Sequence, residues 1–275
     1  MITLNHLVRR QGSVEPARFR DYWLTEHAAR SAALMQELGV EALIKCETLY
    51  DDDAADLLRQ VYGTASDGYD FVDQMQIYDF ARFKSLLARP EVCASWQELH
   101  AGEARYVDHQ RSDYWFSVEH RQVLLADHCV ATRDNAFLKG FYVARMRDGL
   151  SLAEAQLHWN ACHGPLARRF LHILPFVKYV QGHRIESRVG TEIKTMLGGG
   201  FADSSRILGQ AEVWLDRRAL MGLQIPEAQR MMRLLVEDIA LFIEAQASHS
   251  FGAKEHVIFE RPPDLEPIPR LFSAD

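Results

Sequence analysis

The sequence predicts an α+β protein made of two fused copies of one β-α-β-β-α-β unit, their sheets facing each other. The first observation is that Trp23-x-x-x-His27 returns as Trp159-x-x-x-His163, an offset of 136 residues. The same offset takes Pro90-Glu91 to Pro226-Glu227, Glu119-His120 to Glu255-His256, Arg9 to Arg145 and Leu99 to Leu235. The third is the order of patterns inside each copy, where strand-length apolar runs alternate with stretches of helical period.

In the first copy ITLNHLVRR suits a strand. Ser13 is placed to cap the following helix, with Pro16 in its first turn, where the missing N–H costs nothing. Phe19, Trp23 and His27 share one face of that helix, which runs toward Glu37 and ends at Gly39. ALIKCETLY reads as a strand, Tyr69 to Tyr78 as the next, RFKSLLARPEVCASWQELHAGEARYV as a helix interrupted near Pro90, and SDYWFSVEHRQVLL as the last strand. In the second copy FLKGFYVARM is a strand, and Ser151-x-x-Glu154 is a capping box that opens a helix. FVKYVQGHRI and ILGQAEVWL follow as strands, PEAQRMMRLLVEDIALFIEA as a long amphipathic helix, and HVIFE closes the unit. The expected domains are residues 1–126 and 137–261, joined by a polar linker at 127–136. A proline-rich tail at 262–275 is expected to wrap over the surface. The stretches Asp51 to Gly68, with Asp51-Asp52-Asp53, and Ser187 to Ser205, with Gly198-Gly199-Gly200, read as a solvated loop and a flexible lid.

The order is the ferredoxin-like split βαβ motif. One such unit packs its helices on one face of a four-stranded sheet and leaves the other bare, and a second copy is the simplest cover. Two facing sheets make a barrel whose lumen is the expected place for a small ligand.

Composition sets the outer limits. Hydrophobic residues make up 48% and charged residues 25%, enough for a real core, and the formal charge of −7 argues against broad binding to nucleic acid or anionic membrane. The N-terminus lacks the apolar region of a signal peptide, and Cys46, Cys93, Cys129 and Cys162 form no C-x-x-C. A cytoplasmic protein with reduced thiols is expected. Two units in one chain remove the need to dimerise without forbidding a homodimer.

His6 alternates with Leu4 and Val8, on an apolar strand face, and reads either as a base of near-neutral pKa or as a core histidine. Its counterpart Tyr142 would bond a substrate oxygen from the opposite wall, or simply pack. His27 and His163 follow their tryptophans by one turn, so ring stacking is expected. They either fix a helix end or reach the barrel mouth as acid or base, with His163 favoured for its polar surroundings. Trp23, Trp159, Tyr22 and His158 would line the site, and His183 is a further lumen candidate. His158 and His163, five apart, are not expected to share a helix face, so no two-histidine metal motif is read there and no metal is assigned. Asp70, Glu212 and Asp238 read as solvated or capping carboxylates.

Phe19-Arg-Asp-Tyr22-Trp23-Leu-Thr-Glu-His27-Ala-Ala and Leu157-His-Trp159-Asn-Ala-Cys-His163-Gly164-Pro165-Leu166-Ala resemble the signature helix of the EthD domain. The second copy keeps His-Gly-Pro-Leu and has Ala155 for the leading aromatic; the first does the reverse. The resemblance extends over nearly the whole chain as a tandem and implies the dimeric α/β-barrel fold, here intramolecular. It also implies decarboxylase, dehydratase or ether-degradation chemistry, and it suggests by analogy with plant polyketide cyclases that His6 lines a cavity. The function expected is a cofactor-independent lyase or isomerase that moves a proton on a small aromatic or polycyclic oxygenated compound. The alternatives are a cofactor-free or haem-dependent oxygenase, and a non-catalytic carrier of a hydrophobic metabolite.

Overall fold

The computed structural model describes residues 1–50, 52–62, 68–126, 128–173 and 176–261. The tail at 262–275 lies outside them. Eight strands close into one barrel in the order β1-β3-β2-β8-β5-β7-β6-β4. The first half supplies β1 (Ile2–Val8), β2 (Ala42–Thr48), β3 (Phe71–Ile77) and β4 (Asp113–Leu124). The second supplies β5 (Phe137–Arg145), β6 (Phe176–Ile185), β7 (Ile207–Asp216) and β8 (His249–Glu260). Every pairing is antiparallel, and β2 with β8 and β4 with β6 join the halves, so neither sheet keeps a free edge.

The helices lie outside. α1 (Pro16–Leu24) and α2 (Glu26–Glu37) replace the single helix expected, because Thr25 leaves the helical region at φ −114° and ψ −86°. Pro16 sits in the first turn, but the cap position is Glu15 rather than Ser13. α4 (Phe80–Leu87) and α5 (Pro90–Glu103) divide before Pro90, as its missing N–H requires. In the second half α6 (Leu152–His158) opens on the full Ser151–Glu154 capping box, and α7 (Gly164–Arg169) follows. α9 (Pro226–Ile239) ends earlier than its amphipathic pattern suggested.

Two expected loops are helices. α3 (Asp53–Tyr62) begins where the Asp52 carboxylate accepts the N–H groups of Ala54 and Ala55, so this part of the aspartate run caps a helix and pairs with Arg217. α8 (Arg188–Met196) is capped by the Ser187 hydroxyl, and Gly198, Gly199 and Gly200 all take positive φ just beyond its end. The glycines form a helix-stopping turn.

The lumen is filled. Alternation along each strand turns Leu7, Cys46, Val72, Trp115, Phe141, Val143, Phe251 and Ala253 into one cluster inside the barrel. Polar side chains complete it. Asn5 on β1 accepts from Gln210 on β7 at 2.9 Å, a bond between strands that are not neighbours. Lys139, 1% exposed, uses its three donors on Gln74 (2.8 Å), Glu212 (2.9 Å) and Glu255 (3.0 Å). Glu255 also accepts from Trp214 and from the backbone N–H of Ala131, both at 2.7 Å, which ties the segment before β5 to the barrel. Burial opposes the Lys139 charge, but Cys46, Glu212 and Glu255 outweigh it and raise its pKa. Glu212 is therefore a buried partner and not the solvated carboxylate expected. Lys139→Met leaves two carboxylates facing each other in the lumen. It should lower the unfolding free energy by about 3–5 kcal/mol in urea titrations, the usual loss when one partner of a buried pair is removed.

Candidate active site

With the lumen packed, the candidate residues lie on the opposite face of each sheet, under the helices. In the first half Leu4, His6 and Val8 all turn toward the helices. This corrects the expectation that His6 and Tyr142 face each other across a common lumen. His6 stacks on Tyr114 of β4 (centroids 3.9 Å, 13° between planes) and lies 5.9 Å from the Trp23 ring. Trp23 and His27 stack at 3.6 Å, as their spacing led one to expect. Tyr22 packs on Tyr106 at 3.8 Å, beside this group.

Four side chains that the sequence reading did not single out complete the group: Lys45, Asp73, Glu103 and Tyr114. Lys45 on β2 is fully buried, makes a short ion pair with Asp73 of β3, and donates to His27 Nδ1 at 3.1 Å. A charged ammonium has no acceptor, so His27 Nδ1 must accept and Nε2 must carry the proton. That Nε2 lies 2.8 Å from Glu103 Oε1 and donates to it. Trp23 Nε1 donates to the other oxygen of Asp73 at 3.0 Å. The result is a buried line Asp73–Lys45–His27–Glu103. Burial pushes the Lys45 pKa down and the Asp73 and Glu103 pKa values up, each opposed by its partners' charges. His27 falls to about 4, chiefly through burial and then through the Lys45 charge.

His6, like Glu103, has an unused atom. Its ring is 2% exposed, burial lowers its pKa far below that of a free imidazole, and Nε2 has no hydrogen-bond partner. A cavity of about 10 Å³ lies between His6, His27, Met35, Met75, Trp96 and Tyr114. Tyr114 also lines an open cleft of about 520 Å³ with Arg184, Arg188 and Lys194, a volume that suits a small organic molecule.

The second half answers differently. Tyr142, Trp159 and His163 border a cavity of about 30 Å³ whose other walls include Phe176, Val213, Leu235 and Ile239. Tyr142 sits where His6 does, but its strand partners are Ala211 and Ser250 in place of Asp73 and Tyr114. Gln181, paired with Ala211, replaces Lys45. The 136-residue spacing, which would set Gly209 against Asp73, therefore slips by two residues at β7. One of the two residues is taken up at a bulge beside Gly209, which takes φ +148° and where a Cβ would meet the Gly182 carbonyl at 2.0 Å.

The Trp-x-x-x-His spacing also has a different outcome. Residues Trp159–His163 form a π-helical turn, which spreads the two rings. Trp159 stacks on His183 (4.9 Å, 14°), so His183 faces the helices and not the lumen. His158 Nε2 and His163 Nδ1 both bond Asp238, at 2.9 and 2.8 Å. The wider turn brings two histidines five apart to one carboxylate, contrary to the α-helical expectation. Asp238 is thus more than a solvated group; burial would raise its pKa, but the bonds from His163 and His158 outweigh this and lower it. Asp70 likewise accepts from the Arg10 N–H and the Tyr50 hydroxyl.

Burial, then the neighbouring His120, lowers His183 to about 3. Its folded pKa lies below the unfolded value near 6.5, so the unfolded chain takes up the proton first. The contribution is complete above pH 6.5 and is lost as pH falls toward 3, at no more than about 1.4 kcal/mol per unit. Urea midpoints between pH 7.5 and 4.5 should fall less steeply for His183→Gln than for the parent chain.

No curated protein matches the chain in sequence. A monooxygenase candidate from Lactobacillus acidophilus NCFM is similar in structure, with 8% identity over 94% of this chain and 96% of that one, and a TM-score of 0.43. A second monooxygenase candidate, from Fusobacterium nucleatum, shows 8% identity over 94% and 92%, with a TM-score of 0.48. A dye-decolorizing peroxidase from Bacteroides thetaiotaomicron shows 7% identity over 92% of both chains, with a TM-score of 0.46. Likeness at this level says nothing about chemistry. The sequence match is of another kind: residues 11–110, which carry Trp23, His27, Lys45, Asp73 and Glu103, match the EthD domain. The chain carries an EthD domain in its first repeat.

Proposed function

We propose that the first repeat is a proton-transfer catalyst for a small, oxygenated aromatic compound. The observation that supports this is His6: a buried imidazole with an unbonded Nε2, set against a tyrosine and next to a buried lysine. Neutral at ordinary pH, it takes a proton from a phenol or from carbon beside a carbonyl. The Lys45 charge and the Tyr114 hydroxyl favour the anion left behind, and the dry walls keep water from returning the proton. The closed chamber does not hold a ring. Met35 and Met75, unbranched and readily repacked, are the walls that must give way, and the cleft beyond Tyr114 is the side from which a ring arrives.

The fate of the anion sets the reaction class. Loss of carbon dioxide or water, or return of the proton elsewhere, makes a lyase or isomerase. Addition of dioxygen to the same anion makes an oxygenase. His6, His27 and His163 border chambers of about 10 and 30 Å³, too small for haem, and none of the three lines the cleft of about 520 Å³.

Turnover of hydroxylated polycyclic aromatics, followed by product mass together with oxygen uptake, tests the proposal. His6→Phe should lower kcat by about 10²–10⁴-fold, the usual worth of a positioned base. Tyr142→Phe should leave it within a few-fold. Equal losses in both variants would move the chemistry out of the first repeat, and unchanged turnover in His6→Phe would sink the assignment. Tight binding without turnover by the parent chain would make the protein a carrier.

A further inference from the structure

Three ligand-type side chains converge at the end of α5. His100 and Glu103 stand one turn apart on the helix, and His109 opens the 3-10 turn His109–Arg111 that leads into β4. One nitrogen from each imidazole and one Glu103 oxygen lie within 4.8 Å of one another. The two rings are 3.9 Å apart, and Phe201 packs against both.

Glu103 is buried and the two histidines are half-buried, and all three carry buried polar atoms that are incompletely bonded. Glu103 is 1% exposed; its Oε1 accepts from His27, while its Oε2 has no hydrogen-bond partner. His100 Nδ1 lies 3.4 Å from that oxygen without bonding to it, and His109 makes no hydrogen bond of good geometry beyond a polar contact with the His100 backbone. A buried polar atom without a partner costs about 1–3 kcal/mol, so such atoms gathered on three side chains point to a guest that takes one from each. The line Asp73–Lys45–His27–Glu103 also sets two carboxylates against one lysine, which leaves a cation wanting at the Glu103 end.

The second repeat shows that the fold does not demand polar groups here. α9 and the 3-10 turn Ala245–Ala247 repeat α5 and the His109 turn at the constant offset. In that copy Val236, Ile239 and Ala245 occupy the three positions. The same corner closes with apolar side chains.

We propose that His100, Glu103 and His109 bind one divalent first-row transition-metal ion. Two imidazoles and a carboxylate suit zinc, cobalt or iron and not magnesium or calcium, which take oxygen ligands. Burial lowers both imidazoles, His109 to about 4, which keeps them in the neutral form that ligates. With one Glu103 oxygen on the metal and the other on His27, the ion fixes the end of the buried line and orients the His27 ring. This site goes beyond the proton-transfer proposal and stands without it.

The test uses the full chain, dialysed against a chelator and titrated with Zn²⁺ by calorimetry and with Co²⁺ by visible absorption. One equivalent per chain is expected, with Co²⁺ giving d–d bands and no thiolate charge-transfer band. His109→Ala and Glu103→Gln should each weaken binding by at least about a hundredfold, the upper end of what loss of a group that only orients a ligand brings. The exposed His172→Ala should change nothing. The triple variant His100→Val, Glu103→Ile, His109→Ala copies the second repeat's own solution, so it serves if a single variant does not fold, and it should bind no metal. The proposal is overturned if the parent chain binds neither ion in the micromolar range, if a thiolate band appears, or if folded variants keep the parent affinity. A parent chain whose orphaned atoms take up only water gives the first of these results.

Discussion

The ammonium of Lys139, held by Glu212 and Glu255 inside the barrel, sets the terms for the rest of the molecule. A lysine and two carboxylates in a closed β-barrel are tolerable only if every donor and acceptor is met. Here they are met by Gln74, Trp214 and the Ala131 backbone, drawn from both halves. Aromatic rings take the remaining space, with Phe141 and Phe251 stacked at 5.3 Å. A lumen filled in this way serves as the joint between the two repeats. Small cavities lie between each sheet and its helices.

Those two regions share an architecture and differ in kind. In the first, charge is buried: Lys45, Asp73, His27 and Glu103 form a chain in which each bond determines the proton position of the next. In the second, glutamine, alanine and isoleucine stand at the matching positions, and the histidines there turn to Asp238 on the helix side. The repeated tryptophan and histidine are thus a poor guide to where chemistry sits. The residues they meet across the strands discriminate better, since a buried charge persists only where partners surround it.

The sequence carried more than one kind of information. The repeat and the strand-helix order predicted the α+β barrel, and the capping box, Pro16 and Pro90 marked helix ends by local chemistry that needs no tertiary contact. Helices α3 and α8 were read as loops because aspartate and glycine runs dominate their flanks, although those same residues act as a cap and a stop. The stacking of His27 on Trp23 followed from helical spacing. The same spacing failed for His163, because a π turn changes which residues share a face. Lys45 and Asp73 did leave a trace, each breaking an apolar strand at a position that alternates with Leu43 or Met75. A charge on the buried face of a strand was the legible signal of the buried line.

Periodicity assigned His6 to a face of its strand, but it could not say whether that face met the lumen or the helices. That depends on which face of the second sheet packs against it. Nor could it bring Glu103 to His27, or His109 to His100, since those meetings depend on how α2, α5 and the turn before β4 settle on the sheet. The chain by itself determined its elements, their duplication and the residue types available for chemistry, because these rest on local propensity and pattern. Which of those residues became buried together, with which protons and with which atoms left unpaired, was decided only by tertiary packing, because desolvation and hydrogen-bond partners are properties of the assembled layers.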